Sequence, residues 1–300
     1  MRVFSHFRNF DWLRRRPGLP VPVHEAGCVH VRRSWRWLGP ARSAVRLESG
    51  LYCLNECLES ALLRSLARAR SLPQAAAKSH RVPLGLLLLS RQQLTAEQLQ
   101  AALAAQRSAG CGRIGEWLQA LGFVDEQQIT AALARQWSCP ILRPDYPVRT
   151  HTAPPLPVAL LERFLMVPFD YLGVTSPPTL YIALAGGPDY AVLYAVETMT
   201  GCRTECCLAA PSFVRRNLAA LASRREGREV SFACAADTEF CRIIGSYCAR
   251  IAASEVRLAA CGPFVWVRLF RDARPPLDLW MHFPAVPARS PLAGPPPAPS

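Results

Sequence analysis

Lysine is nearly missing from this 300-residue chain: Lys78 is the only one, so almost all of the positive charge behind a formal net charge of +13 is arginine. That bias reflects a GC-rich coding sequence as much as it reflects a ligand. No stretch approaches the roughly 18 consecutive apolar residues of a membrane helix, the longest run being the short 84–89 segment. A membrane-spanning helix is thereby excluded, and a soluble protein is expected. Arg14, Arg15, Arg16 and Pro17 stand where a secretory leader would place its apolar core, which predicts a cytoplasmic location. A phosphate-cradling GxxxxGK(S/T) loop is also missing. Lys78-Ser79 is the only Lys-Ser/Thr pair, and Ala77 precedes it in place of glycine. With about 17 residues after Phe283, too few for a catalytic domain there, ATP hydrolysis and enzyme activity are not expected.

A hydrophobic content of 50% argues that most of the chain folds, as two or three small domains. Residues 1–50 hold ten arginines against three acids, so the basic excess is concentrated there. A positive field attracts phosphates of every kind and selects none of them. A solvated basic tail is the plainer reading, and nucleic acid is not favoured as a partner. Twelve cysteines in a reducing compartment should be thiols, with Cys139, Cys202, Cys234 and Cys248 serving as small buried apolar residues. Cys206-Cys207 sits in a strand candidate, where adjacent side chains point to opposite faces, so the pair reads as structural.

Pro-, Arg- and Ala-rich stretches divide the chain. Segments 1–22 and 284–300 are expected to lack fixed structure, 67–81 to be a linker and 223–228 a hinge. Between the linker and the hinge an internal repeat is visible: Pro83-Leu84-Gly85 recurs thirty residues later as Arg113-Ile114-Gly115. The register holds through Leu88 and Leu118, Leu94 and Val124, Leu99 and Ile129, Leu103 and Leu133, Gln106 and Gln136. Each copy predicts a short helix, a turn and a longer helix. Thr95 with Gln98, and Asp125 with Gln128, are placed to form capping boxes that start the longer helices. Beyond Pro140 the pattern predicts strands at VPFDYLG, LYIALA and CRTECCLAA, with helices over 189–199 and 213–222. The 229–283 segment predicts a strand (230–232), a helix (238–253) and strands at 255–258, 264–270 and 277–283. The fold class is α+β: a tandem helical-hairpin repeat, a small α/β sandwich unit completing 82–222, and a small α+β module over 229–283.

The repeat resembles the N-terminal domain of the assembly ATPases of type II secretion and type IV pili, in which tandem RLGxxLVxxGxIxxxxLxxxLxxQ motifs bind cyclic di-GMP. The second copy, RIGEWLQALGFVDEQQITAALARQ, places Arg113, Gly115, Leu118, Gly122, Val124, Ile129, Leu133 and Gln136 on motif positions. The first keeps Leu84, Gly85, Leu88, Leu89, Leu94, Leu99, Leu103 and Gln106, but Pro83 replaces the motif arginine and Gln92 the motif glycine. An arginine offers a planar fork for guanine or phosphate, and proline offers neither charge nor donor. The resemblance implies a ligand site with Arg113 as its polar anchor, Gly85, Gly115 and Gly122 allowing close backbone approach, and Leu84, Leu88, Ile114 and Leu118 as an apolar floor. Arg81 is a substitute cation two residues before Pro83. The 156–222 segment resembles the second half of the same domain. More weakly, 243–272 resembles a second, PAS-like N-terminal module, with Ala253, Ser254, Glu255, Val256, Arg257, Arg268, Arg271 and Asp272 on its pattern. The partner so implied is a secretion or pilus assembly component, an ATPase or a membrane platform.

At the other end, Cys53 and Cys57 form C-x3-C at the start of a predicted helix, and Cys28 lies between His24 and His30. Cys28, His24 or His30, Cys53 and Cys57 make a tetrahedral zinc set, and the layout of 23–66 resembles treble-clef or TRASH-type modules. The same residues read equally as buried cysteines on a helix face. Trp35 and Trp37 among Arg32, Arg33 and Arg36 fit base stacking, or a strand over a small zinc-stabilised core. Three functions follow: a cyclic-di-GMP-responsive binding module, a ligand-free adaptor for a secretion or pilus machine, and a zinc-containing nucleic-acid binder.

Overall fold

The computed structural model describes residues 44–54, 56–71, 81–149, 153–223, 229–272 and 274–283. It opens with a hairpin, β1 (Ala44–Leu47) and β2 (Gly50–Cys53), followed by α1 (Glu56–Ser71). Helix α1 forms because Leu58, Ala61, Leu62, Ser65 and Leu66 repeat at helical spacing and bury one stripe. Acids lie in its first turn and Arg68 and Arg70 in its last, each complementing the helix dipole.

The repeats follow as α2 (Leu84–Ser90), α3 (Ala96–Ala109), α4 (Ile114–Ala120) and α5 (Glu126–Trp137). Both predicted capping boxes are present: Gln98 N–H donates to Thr95 Oγ1 and Gln128 N–H to Asp125 Oδ1, each glutamine accepting from the cap residue in return. Helix α2 packs against α5 and α3 against α4, so the copies cross. Two pairs thirty apart carry equal burial: Leu88 and Leu118 are both 0% exposed, Leu94 and Val124 both 5%.

The middle unit is α6 (Val158–Arg163), β3 (Met166–Leu172), β4 (Thr179–Leu184), α7 (Tyr190–Thr200), β5 (Arg203–Leu208) and α8 (Pro211–Ala222). Its sheet has the order β3-β4-β5, with β3 antiparallel and β5 parallel to β4. Helices α6 and α8 pack on β3. Beyond it come β6 (Glu229–Ala233), α9 (Asp237–Ile251), β7 (Glu255–Cys261), β8 (Phe264–Arg271) and β9 (Arg274–His282).

The N-terminal hairpin corrects the expected domain plan. Strand β1 pairs in parallel with β7 (Arg46 opposite Glu255), giving one six-stranded sheet of order β2-β1-β7-β8-β9-β6. Residues 44–71 therefore complete the C-terminal module and do not form a separate unit. The helix also runs through the first part of the expected linker to Ser71, where Arg70 pairs with Asp237 of α9 at 2.7 Å. One face of this sheet buries Val45, Leu47, Val256, Val265, Val267, Leu269, Leu279 and Met281 with side chains of α1 and α9. The alternate residues Ala259, Cys261, Trp266 and Trp280 join the core of the middle unit, whose α7 lies against β7. Two-faced burial explains why β8 reads as a nearly unbroken apolar run.

Polar contacts fasten the two units. The carboxylate of Glu229 accepts from the Val158 and Ala159 N–H groups at 2.6 and 2.9 Å, satisfying the start of α6. Arg268 and Asp278 pair at 2.7 Å with the side chains 3% and 7% exposed, and Arg268 also donates to the Pro155 carbonyl. Arg268, on the pattern of the second module by sequence, thus turns into the core. Among the described residues no helix is long and apolar enough to cross a membrane.

Candidate ligand site at the repeat starts

Most motif positions prove to be scaffold. A Cβ on Gly85 would stand 2.7 Å from Leu99 Cδ1, and one on Gly115 would meet Leu84 Cδ2 at 3.1 Å and Ile129 Cγ2 at 3.4 Å. These glycines let each short helix approach the long ones; the close approach is helix to helix, not backbone to ligand. Leu84, Leu88 and Leu118 are buried in the repeat core with Ile114 packed at its edge, so they form no open apolar floor. Gly122 closes α4 with φ 69°, and Gln92 closes α2 with φ 57°. The turns match bond for bond: Gln92 N–H reaches the Leu89 carbonyl as Gly122 N–H reaches that of Gln119, and Gln93 reaches Leu88 as Phe123 reaches Leu118. Glutamine has replaced glycine without changing the turn, at the cost of a left-handed side-chain-bearing residue.

The repeat glutamines are also structural, and they are exchanged. Gln106 Nε2 donates to the Gly112 carbonyl at 2.8 Å, in front of the second copy, and Gln136 Nε2 donates to the Val82 carbonyl at 2.7 Å, in front of the first.

Arg113 differs from these. Its backbone N–H is held by Glu116 Oε2 at 3.0 Å, which leaves an exposed guanidinium with no hydrogen bond or ion pair among the described residues. In the first copy Pro83 has no N–H to give and Leu86 no carboxylate, so the whole pairing is lost there. The Arg113 guanidinium lies beside the 185–187 loop, with Nη1 3.0 Å from where a Cβ on Gly186 would stand. A Cβ on Gly187 would fall inside the Trp137 indole. The guanidinium of Arg81 lies 3.4 Å above that ring. Of the two arginines at the repeat starts, Arg113 thus lies on the glycine loop directly, and Arg81 lies on the indole that packs against it. Sequence singled out both arginines but missed Trp137 and the loop; the signal was Trp137 following motif Gln136, and the Gly186-Gly187 pair following a strand.

Next to Trp137 a cavity of about 580 Å³ opens between the end of α5, α7 and β5. The Cys139 thiol there is held below its ordinary value by the hydrogen bond with Cys206, with Arg81 adding to it, and Cys206 is pushed up. Among the described residues no carboxylate pair suited to acid–base work forms: Asp189 caps α7, Glu197 accepts from Thr204, and Asp170 accepts from the Tyr146 hydroxyl at 2.9 Å. Burial, with that bond second, pushes Tyr146 up.

For the zinc set, Cys28, His24 and His30 lie outside the described residues. Cys53 ends β2 and Cys57 is the second residue of α1, so they are not two positions on one helix face. Among the described residues no three His, Cys, Asp or Glu side chains group as metal ligands.

No protein-family model and no curated protein matches the sequence. Among solved structures, MshE with cdg is similar at 27% identity over 47% of this chain and 99% of that one, with a TM-score of 0.40. The N-terminal domain of XpsE is similar in two crystal forms, at 19% and 21% identity, over 45% and 44% of this chain and 91% and 89% of those, with TM-scores of 0.36 and 0.28.

Proposed function

We propose that this chain is a non-catalytic regulatory module that binds cyclic di-GMP at the repeat starts and passes that binding to a secretion or type IV pilus assembly component. The observation that carries the reading is Arg113: an exposed guanidinium, backbone-anchored by Glu116 and lying beside a glycine loop that packs on the Trp137 indole under Arg81. A guanidinium fork suits guanine O6/N7 and phosphate oxygens alike, and the glycine at 186 lets the loop backbone come up to that fork. The motif resemblance supplies the ligand class. Calorimetric titration of the full chain with cyclic di-GMP tests it, with saturable binding expected and at least tenfold weaker binding for Arg113→Ala. Absence of saturable binding, or indifference to Arg113→Ala, would refute it.

A ligand-free adaptor is the second reading, and a specific observation favours it. The leucines, Gly85 and Gln106 that the first copy retains are those the fold consumes, whereas of its two departures Pro83 is the one that removes ligand chemistry. A pull-down recovering the same pilus or secretion component with and without cyclic di-GMP would select this reading.

A further inference from the structure

Beyond Trp137 the chain leaves α5 through Ser138, in the left-handed region at φ 52°, and then runs beside β5. Leu142 N–H donates to the Leu208 carbonyl at 2.7 Å and Leu208 N–H to the Pro140 carbonyl at 2.8 Å. This is a parallel bridge that sets Ile141 opposite Leu208. Carried two residues back on each side, that register brings Cys139 level with Cys206. Paired strands lie about 4.8 Å apart, inside the roughly 4.4–6.8 Å Cα window that a disulfide spans. The Cys139 thiol donates to the Trp137 carbonyl at 3.6 Å and interacts directly with Cys206. Both line the 580 Å³ cavity, with Trp137, Tyr190, Arg203 and Glu205, so a small reagent can reach them. Cys207, the next residue on β5, faces the other way, donates to the Ile182 carbonyl and is pushed up to about 12.

We propose that Cys139 and Cys206 form a reversible thiol–disulfide site whose oxidant is a low-molecular-weight disulfide entering this cavity. Cys139, deprotonated to solvent with Arg81 nearby, attacks one sulfur of the oxidant; that S–S bond breaks and the far sulfur leaves as a thiolate that takes up a proton. Capping Cys139 removes the partner that holds the Cys206 proton. Cys206 then loses it and attacks Cys139 Sγ, the mixed bond breaks, and the second small thiol leaves. Two protein thiols are oxidised to one disulfide while the reagent is reduced to two thiols. The product ties the segment after the second repeat covalently to β5, two residues from the indole under Arg81.

The test treats the full-length protein with oxidised glutathione, blocks residual thiols and maps the peptides by mass. A Cys139–Cys206 crosslink that dithiothreitol reverses is expected. Before oxidation, Cys139 should alkylate at least about tenfold faster than Cys207 at neutral pH. In Cys206→Ser the reaction should stop with glutathione held on Cys139. Should that variant fail to fold, the wild-type map decides by itself. Recovery of Cys139 and Cys206 as blocked thiols while exposed Cys111 is modified, or a glutathione adduct on Cys139 of the wild type with no crosslink, would overturn the proposal.

Discussion

Asp278→Ala removes the acceptor at the centre of the seam between the six-stranded sheet and the middle unit. Asp278 accepts from Trp266 Nε1 at 2.8 Å and from Arg268 Nε and Nη2 at 2.7 and 2.8 Å. Trp266 is fully buried and Arg268 is 2% exposed, so neither group can turn to water. Removing one partner of a buried ion pair costs about 3–5 kcal/mol, because the surviving charge stays desolvated and uncompensated. Out of the roughly 5–15 kcal/mol that holds an ordinary domain together, that is about a fifth or more. With a urea m-value of about 2 kcal/mol/M, the unfolding midpoint should fall by about 2 M, read by circular dichroism and tryptophan fluorescence. The charge-free double variant Arg268→Met/Asp278→Leu keeps most of the volume and leaves only the neutral Trp266 N–H and Pro155 carbonyl unpaired, so it should recover about 1–2 kcal/mol relative to the single variant. A single variant within about 1 kcal/mol of the parent, or a double variant as unstable as the summed singles, would refute the account of Arg268 as a buried cation held by Asp278.

Four further outcomes are expected. Gln92→Gly should raise the melting temperature by the equivalent of about 0.5–1 kcal/mol, since it relieves a left-handed residue in an intact turn; an unchanged or lower melting point would contradict this. Pro83→Arg/Leu86→Glu rebuilds in the first copy the Arg113–Glu116 arrangement of the second and should tighten cyclic di-GMP binding about fivefold or more by calorimetry, at roughly 1 kcal/mol for the added contact. Gly187→Ala must displace the Trp137 ring and should cost about 1–3 kcal/mol in urea while weakening the same binding. Burial pushes Cys248 up to about 12, above its unfolded value of 9.0. Its contribution is therefore complete below pH 9 and declines as pH rises above that, because the unfolded chain releases the proton first. At pH 10 the loss is about 1.4 kcal/mol, and Cys248→Ala should show that much less alkaline destabilisation than the parent in paired urea melts.

The repeat was legible because its determinants are local: a thirty-residue register, turn residues and capping boxes all lie within one hairpin's span. The strands and helices after residue 156 were legible for the same reason, each carrying its own period. The place of β1 was not. Four residues reading AVRL pair with a strand some two hundred positions away, and nothing in their composition reveals the partner. In the site, Arg113 was visible by residue type, but the roles of its neighbours were inverted. A glycine that admits a ligand and a glycine that admits Leu99 look alike in sequence, and only the packing distance separates them. Trp137 and the 185–187 loop could not be joined, since their contact is made by folding and not by spacing.

The exchanged glutamine bonds bear on how such a duplication ages. Gln106 satisfies the carbonyl ahead of Arg113, and Gln136 the one ahead of Pro83. Neither hairpin completes its own beginning, so the pair behaves as a heterodimer inscribed in one chain, each half standing as the other's obligate subunit. Deleting one half would leave its sibling with an orphaned carbonyl and a bared apolar flank. A substitution that strips ligand chemistry from one half leaves that mutual dependence untouched. Proline at 83 is such a substitution: the first hairpin can surrender recognition and still be indispensable.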